Sequence, residues 1–308
     1  MEQQKPRILV LSSAESTHPD RMELNDQFIA DLRQRIGDTV ELEWHNYHDI
    51  CMEFQTGSIM AYLRSSGVHL KDFDFVYFKS YFRYSEFAGA IATYLDAQDT
   101  PYVCSELRGH IALSKLTQFA RMAVAGLPIA KTLYMLSDGF AESYDKVAEN
   151  LGIPFIFKAS DGSTGEQNYR INDQAEFRVA IAECPGVTFV AQSFIQNDSD
   201  LRVLIVDKKI QLVIKRQRKD DSTHLNNTSQ GADAYLVPID ELSPKDQEIS
   251  LRAAEVMGRE TAGVDLLFES GTGDPYILEV NASPQIASGA FMKEKLDIYS
   301  NYFKNVLK

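Results

Sequence analysis

Two strand-like runs near the C-terminal end, GVDLLF at 263–268 and YILEVN at 276–281, flank the turn-rich stretch SGTGD at 270–274. This spacing closes an antiparallel hairpin. Thr272 lies midway between Asp265 and Glu279, so symmetric pairing sets these two carboxylates opposite each other. Alternation along a strand puts Asn281 on the face of Glu279, opposite the side-chain-free Gly263. It sends Val264, Leu266, Leu278 and Val280 to the other, core-facing side. Two facing acids repel and lose hydration unless a cation joins them. Magnesium takes hard oxygen ligands and is often held by one or two carboxylates together with substrate phosphates, so this face predicts a metal-triphosphate site. The bland alternative is a solvent-facing hairpin with ordinary polar residues.

Three further features bear on that site. The strand FIFK ends in Lys158 and runs into ASDGSTG at 159–165, where small residues allow close backbone approach to phosphate beside a positive charge. The loop is neither a Walker motif nor GxGxxG, and such turns after strands are common. Lys115 begins a helix and is within reach of a cleft, although a solvated lysine is the commoner outcome. Arg202 and Arg216 interrupt apolar runs in a hairpin predicted to turn at 207–209. Guanidinium matches carboxylate and phosphate geometry, which makes both candidates for holding an acyl phosphate or its parent acid. Salt bridges to Asp200 or another acid are the competing use.

Along the chain, 308 residues suit two or three sub-domains around a shared cleft. Residues 8–11, a helix at about 24–36, alternating Val40, Leu42 and Trp44, a strand at 75–78, a helix at 86–97 and a strand at 102–104 predict a parallel α/β domain over 1–105. A helix carrying Leu116, Phe119, Ala120, Ala123 and Val124 on one face stops at Gly126 and Pro128. Strand, loop, helix and strand then follow over 152–195, so a central unit is expected over 106–190 and a C-terminal unit over 191–308. Residues 217–232 lack periodicity, as lids and binding loops do, and a helix is expected at 244–261. The stretch 73–87 reads as a buried strand and helix rather than a docking surface.

The formal net charge of −13 argues against a general affinity for nucleic acid. Cys51, Cys104 and Cys184 are too few and too scattered for a disulfide framework or a zinc cluster, which points to a reducing compartment. His45 and His48 lack further spaced ligands. No stretch has the form of a secretion signal or a membrane span, so the expectation is a cytoplasmic protein.

With GVDLLF, LEVNASP, the DLR triplet at 200–202, the IKR ending at Arg216 and NTSQG at 227–231 in this order, the chain resembles the ATP-grasp superfamily, and within it the RimK-type carboxylate-amine ligases. The resemblance spans about residues 105–290. It implies an α/β ATP-grasp fold behind an N-terminal parallel α/β domain. It implies magnesium, or manganese in its place, on Asp265, Glu279 and Asn281. ATP phosphates are implied near Lys115, Lys158 and the loop residues Ser163, Thr164 and Gly165, with adenine against the backbone of Gln192, Ser193 and Phe194 and Asp200 near the ribose. Arg216 and Asn227 are implied to face the reacting phosphate, with Arg202 orienting the acid.

The chain departs from its relatives at Ser193-Phe194, where a glutamate-aromatic pair is usual, and at Leu225, where an arginine often precedes the asparagine. The implied partners are ATP, a carboxylate substrate (amino acid, peptide or protein) and an amine acceptor, with homo-oligomers common among relatives. The family chemistry phosphorylates the carboxylate and displaces phosphate with the amine. The sequence nominates no base for the amine. A catalytically silent ATP sensor, or a partner-binding module on the same fold, is the competing reading.

Overall fold

The computed structural model describes residues 5–13, 19–55, 57–109, 114–135, 137–160, 167–219, 223–224, 226 and 231–307. Its first unit is a parallel sheet. β1 (Arg7–Ser12), α1 (Pro19–Ile36), β2 (Glu41–Asn46), the hairpin β3 (Ile50–Gln55) and β4 (Ser58–Leu63), β5 (Phe75–Phe78), α2 (Ser85–Ala97) and β6 (Tyr102–Val103) follow in order. Strands pair in the order β2-β1-β5-β6, all parallel. Both faces of β1 are buried, as parallel sheets require. Ile8 and Val10 pack against Phe28 and Leu32 of α1, while Leu9 and Leu11 pack with Ile91 and Leu95 of α2. The expected strand and helix over 73–87 are present, with Phe73, Phe75, Tyr77, Phe78 and Tyr81 buried.

The second unit holds α3 (Lys115–Val124), β7 (Thr132–Tyr134), α4 (Ser137–Ala141), α5 (Tyr144–Leu151), β8 (Phe155–Ala159), β9 (Asn168–Ile171), α6 (Gln174–Glu183) and β10 (Phe189–Ser193). Its antiparallel sheet runs β7-β10-β8-β9. Phe155 and Phe157 point to one side, into a core with Phe140, Phe177 and Phe189, where Phe157 and Phe189 stack at 4.3 Å. Period-2 alternation therefore turns Ile156 and Lys158 to the opposite side.

The α3 helix is oriented differently from the apolar face read in the sequence. Gln118, Phe119 and Met122 are buried, whereas Val124 is 91% exposed. The Gln118 side-chain oxygen accepts the Val280 backbone N–H at 3.0 Å, which draws a polar residue into the contact.

The third unit is an antiparallel sheet in the order β13-β12-β11-β14-β15. It is built from β11 (Ser199–Val206), β12 (Lys209–Gln217), β13 (Asp233–Val237), α7 (Pro244–Met257), β14 (Ala262–Phe268), β15 (Pro275–Asn281) and α8 (Met292–Asn305). The β11–β12 turn falls where expected, with Asp207 and Lys208 both at positive φ (54° and 59°), the backbone of a primed two-residue turn. The α7 helix ends at Met257, earlier than 261, because Gly258 takes the left-handed conformation at φ 71°. One face of this sheet, with Val203, Val213, Val264, Leu266 and Val280, packs on α3 and α7. The other carries Leu204, Val206, Leu212 and Ile214 into a core shared with Leu296, Tyr299 and Phe303 of α8 and with β1 and α1. Among the described residues no helix is long and apolar enough to cross a membrane.

Candidate active site

The face of the large sheet that meets α8 changes from apolar to charged along its length, and the charged end is the candidate site. In β11, Asp200 and Arg202 share a face with Leu204 and Val206 by alternation. Cross-strand neighbours continue the charged stripe: Asp200 opposite Arg216, Arg202 opposite Asp265, Asp265 opposite Glu279 and Gly263 opposite Asn281. The register read from the turn therefore holds at the two carboxylates.

Nearer the turn the register differs by one. Leu266 pairs with Ile277 rather than with Leu278, and a bulge absorbs the extra residue. Ile277, 1% exposed, takes the core position expected for Leu278, which is only half-buried.

Asp265 is the centre of the polar network. Both its oxygens accept from Arg202, through Nε and through Nη2 at 3.0 Å. Arg216 lies 3.3 Å from it, and the Asn281 amide donates to it at 3.4 Å. Arg216 also holds Asp200 in a two-bond pair at 2.6 and 2.8 Å. Burial pushes the Asp200 carboxyl up to about 6, against the pull of Arg216. The salt bridges weighed for both arginines are thus present. Gly263 makes room for this: a Cβ there would lie 3.1 Å from Arg202 Cδ and 3.3 Å from Pro284 Cβ. The Glu279 carboxylate, by contrast, accepts no hydrogen bond and forms no close ion pair among the described residues.

Across the cleft stands the central sheet. Burial pulls the Lys158 ammonium down to about 8, with the charges of Glu279 and Asp265 opposing and that of Lys115 assisting. The lysine of β8 therefore stands within electrostatic reach of the acidic pair and of Lys115 in the first turn of α3. Lys158 Nζ also lies 5.3 Å from the centre of the Phe119 ring.

Gln192 is buried on β10 and donates to Thr132 Oγ1 at 2.7 Å. The Ser193 N–H bonds Lys131 O at 2.9 Å, and the Phe194 ring carries Arg170 at 4.6 Å. These residues end the central sheet just before β11 begins. Ser163, Thr164, Gly165 and Asn227 lie outside the described residues.

Three cleft residues escaped the sequence reading. His224 bonds Asn168 Oδ1 at 2.9 Å. Burial, with Arg170, Arg218 and Lys158 nearby, pulls its imidazole down to about 4, leaving it neutral near pH 7. Arg218 sits in the basic run at 215–219, a usable signal; Arg170 and His224 meet it only through tertiary folding. An acidic chain thus gathers positive charge in one place, as anion-binding clefts do.

Two carboxylates and a carboxamide are the donor set a hard divalent cation takes. Glu279 is available to one as it stands, and Asp265 becomes available when guanidinium contacts yield. The residues fit magnesium. His45, instead, bonds Asp49 at 2.8 Å and approaches Glu43 at 3.4 Å. Among the described residues no group of three or more His, Cys, Asp and Glu is gathered for a metal.

The RimK-like ATP-grasp domain matches residues 112–304. The chain belongs to the RimK-like ATP-grasp family. The matched residues include every site residue named above. A probable alpha-L-glutamate ligase of Hydrogenovibrio crunogenus is 33% identical over 187 residues, 58% of this chain and 57% of that protein. One from Legionella pneumophila is 30% identical over 179 residues, 55% of each. The chain therefore spans little more than half the length of these curated relatives.

Among solved structures, the ATP-grasp ligase PsnB, complexed with a phosphomimetic variant of its minimal precursor, Mg and ADP, superposes with a TM-score of 0.67. It is 17% identical, over 98% of both chains. The D-alanyl-alanine synthetase A of Vibrio cholerae gives a TM-score of 0.68 at 15% identity, over 99% of this chain and 98% of that one. At identities this low the likeness establishes the fold alone. This RimK-like chain has the ATP-grasp fold over nearly its whole length, with the parallel sheet at its N-terminal end.

Proposed function

We propose that this RimK-like chain is an ATP- and magnesium-dependent ligase that activates a carboxylate as an acyl phosphate and joins it to an amine. The observation that carries the reading is the placement of Asp265, Glu279 and Asn281 on one sheet face, opposite Lys158 and Lys115 across the cleft. Family membership supports it, as do the names of the relatives, which are ligases.

In the proposed reaction a substrate carboxylate oxygen attacks the γ-phosphorus of ATP and the bond to the β-phosphate breaks, leaving ADP and an acyl phosphate. The amine nitrogen then attacks the acyl carbon; phosphate leaves and the nitrogen loses a proton. Lys158 and Lys115 hold triphosphate charge. Arg216 stabilises the transferring phosphoryl group and Arg202 orients the acid. Asp265, Glu279 and Asn281 would hold magnesium, which neutralises phosphate charge when bound. Gln192, Ser193 and Phe194 flank the adenine. A ribose contact by Asp200 requires its pair with Arg216 to open.

The first test is ADP release with ATP and magnesium against amino acids and acidic or lysine-containing peptides, with mass spectrometry of the products. A product one water lighter than the sum of its two substrates is expected. Confirmed ATP binding with neither ADP nor product across the panel would favour a silent nucleotide sensor.

A pH dependence follows from Lys158. Nucleotide phosphates favour its charged form, so ATP affinity should be highest below pH 8 and fall above it, by at most about tenfold per pH unit for one proton. Titrating a fluorescent ATP analogue between pH 7 and 10 measures this, and a flat profile would remove Lys158 from the phosphate site.

A further inference from the structure

Asn226 is 5% exposed, and among the described residues nothing donates to its side-chain oxygen Oδ1. The orientation of the amide is fixed by its neighbours. Asn197, itself buried, donates through Nδ2 to Ile195 O at 2.8 Å, so its own Oδ1 faces the other way. That oxygen accepts from Asn226 Nδ2 at 2.8 Å and from Arg218 Nη1 at 3.4 Å. Turning the Asn226 amide over would set two oxygens against each other, so Nδ2 points at Asn197 and Oδ1 points away from it. A buried acceptor without a donor is costly to keep, and where one persists it calls for a partner that binds.

The two ends of the short stretch 224–226 show where that partner lies. His224 bonds Asn168 Oδ1 at 2.9 Å, and Asn168 stands directly opposite Lys158 in the β8–β9 pairing. Asn226 is held by Asn197, in the segment that follows Phe194. Two residues of chain reach about 7 Å at most, so the stretch bridges from the lysine of the phosphate end to the end of β10, where the base is expected. In a nucleotide the sugar joins these two parts. Its hydroxyls are donors, whereas the oxygens of an ionised triphosphate have no hydrogen to give. Asp200, the acceptor nearby on β11, already takes two hydrogen bonds from Arg216, at 2.6 and 2.8 Å.

Building on the ligase reading above, we propose that Asn226 is a specificity-determining residue for the nucleotide, its Oδ1 accepting a hydrogen bond from a ribose hydroxyl. Asn197 stands behind it as a positioning residue, since it fixes which way the amide points. The site then favours the full ribonucleotide over one that lacks the recognised hydroxyl.

The test measures equilibrium binding of ATP, 2′-deoxy-ATP and 3′-deoxy-ATP by calorimetry, without acid or amine, to the wild-type chain and to Asn226→Ala and Asn226→Asp. With magnesium present, the wild-type chain should bind ATP about tenfold more tightly than the analogue lacking the recognised hydroxyl, the size of one hydrogen bond to a buried acceptor. In Asn226→Ala the affinity for ATP should fall by the same factor while that for this analogue stays within about twofold, so the preference disappears. Asn226→Asp keeps an acceptor oxygen and should keep the preference, at lower affinity for all three because its second oxygen faces Asn197 Oδ1. The preference is a ratio read within each variant, so a change in the stability of Asn226→Ala does not alter it.

Equal binding of the three nucleotides by the wild-type chain would overturn the proposal. So would a preference that survives in Asn226→Ala, or an equal weakening of all three there, which marks an amide that only holds the loop. If that equal weakening appears only with magnesium, Oδ1 is a metal ligand instead and the sugar contact is refuted. Failure of the wild-type chain to bind any of the three would overturn the nucleotide reading itself, and the role of Asn226 with it.

Discussion

Replacing Glu279 by glutamine is expected to lower ADP-forming turnover by about a thousandfold and to leave thermal stability nearly unchanged. The magnitude is that of losing one carboxylate from a metal-phosphate centre, several kcal/mol of charge stabilisation. Stability should barely move, because the carboxylate has no hydrogen-bond or close ion-pair partner among the described residues and only the longer-range charge it sets against Lys158 is lost.

Asp265→Asn should be equally inactive but cannot separate chemistry from folding. It strips the counter-charge from Arg202 and Arg216 at a site only 6% exposed. Breaking one member of a buried ion pair costs about 3–5 kcal/mol. Steady-state ADP release and thermal denaturation of the two variants, side by side, measure both effects. Wild-type turnover in Glu279→Gln would place the metal elsewhere.

A large loss of stability is also expected at Glu106. Its two oxygens accept from Arg259 Nε and Nη2, each at 2.7 Å, and one also accepts from Tyr81 at 2.9 Å. Arg259 in turn donates to the carbonyl of Val280, the residue after Glu279. The pair is 3% exposed on both sides and ties the segment after β6 to the active-site hairpin.

Glu106→Ala should therefore cost about 3–5 kcal/mol, read as a lower midpoint in urea. The double change Glu106→Leu with Arg259→Met should recover most of it, since an apolar pair avoids the buried charge. An unchanged midpoint in Glu106→Ala would mean that the pair contributes nothing to folding.

How much of the site could be read from residues alone depended on whether the relation was local. The hairpin register was legible because a turn and a period of two relate Asp265 to Glu279 within fourteen residues. The bulge that exchanges Leu278 for Ile277 was not, since packing against α3 and α7 decides it. The edge strand β13 and the hairpin β3–β4 carry too little alternation to announce themselves. The polar Gln118 on the buried side of α3 misdirected a reading based on apolar periodicity. The C-terminal helix α8 gave no hint that it seals two sheets together or that Lys295 lies inside.

By itself, then, the order of residues determined the family, the ATP-grasp architecture and the identity of the facing carboxylates. These follow from local periodicity and motifs, which every copy of the sequence carries whatever surrounds it. Tertiary structure alone decided which acids are free and which are held by arginine. It also brought Lys158, on a separate sheet, to within electrostatic reach of Glu279, and left the Asn226 amide oxygen buried with no donor among the described residues. Charges far apart in the chain acquire their energies only when folding removes the water between them.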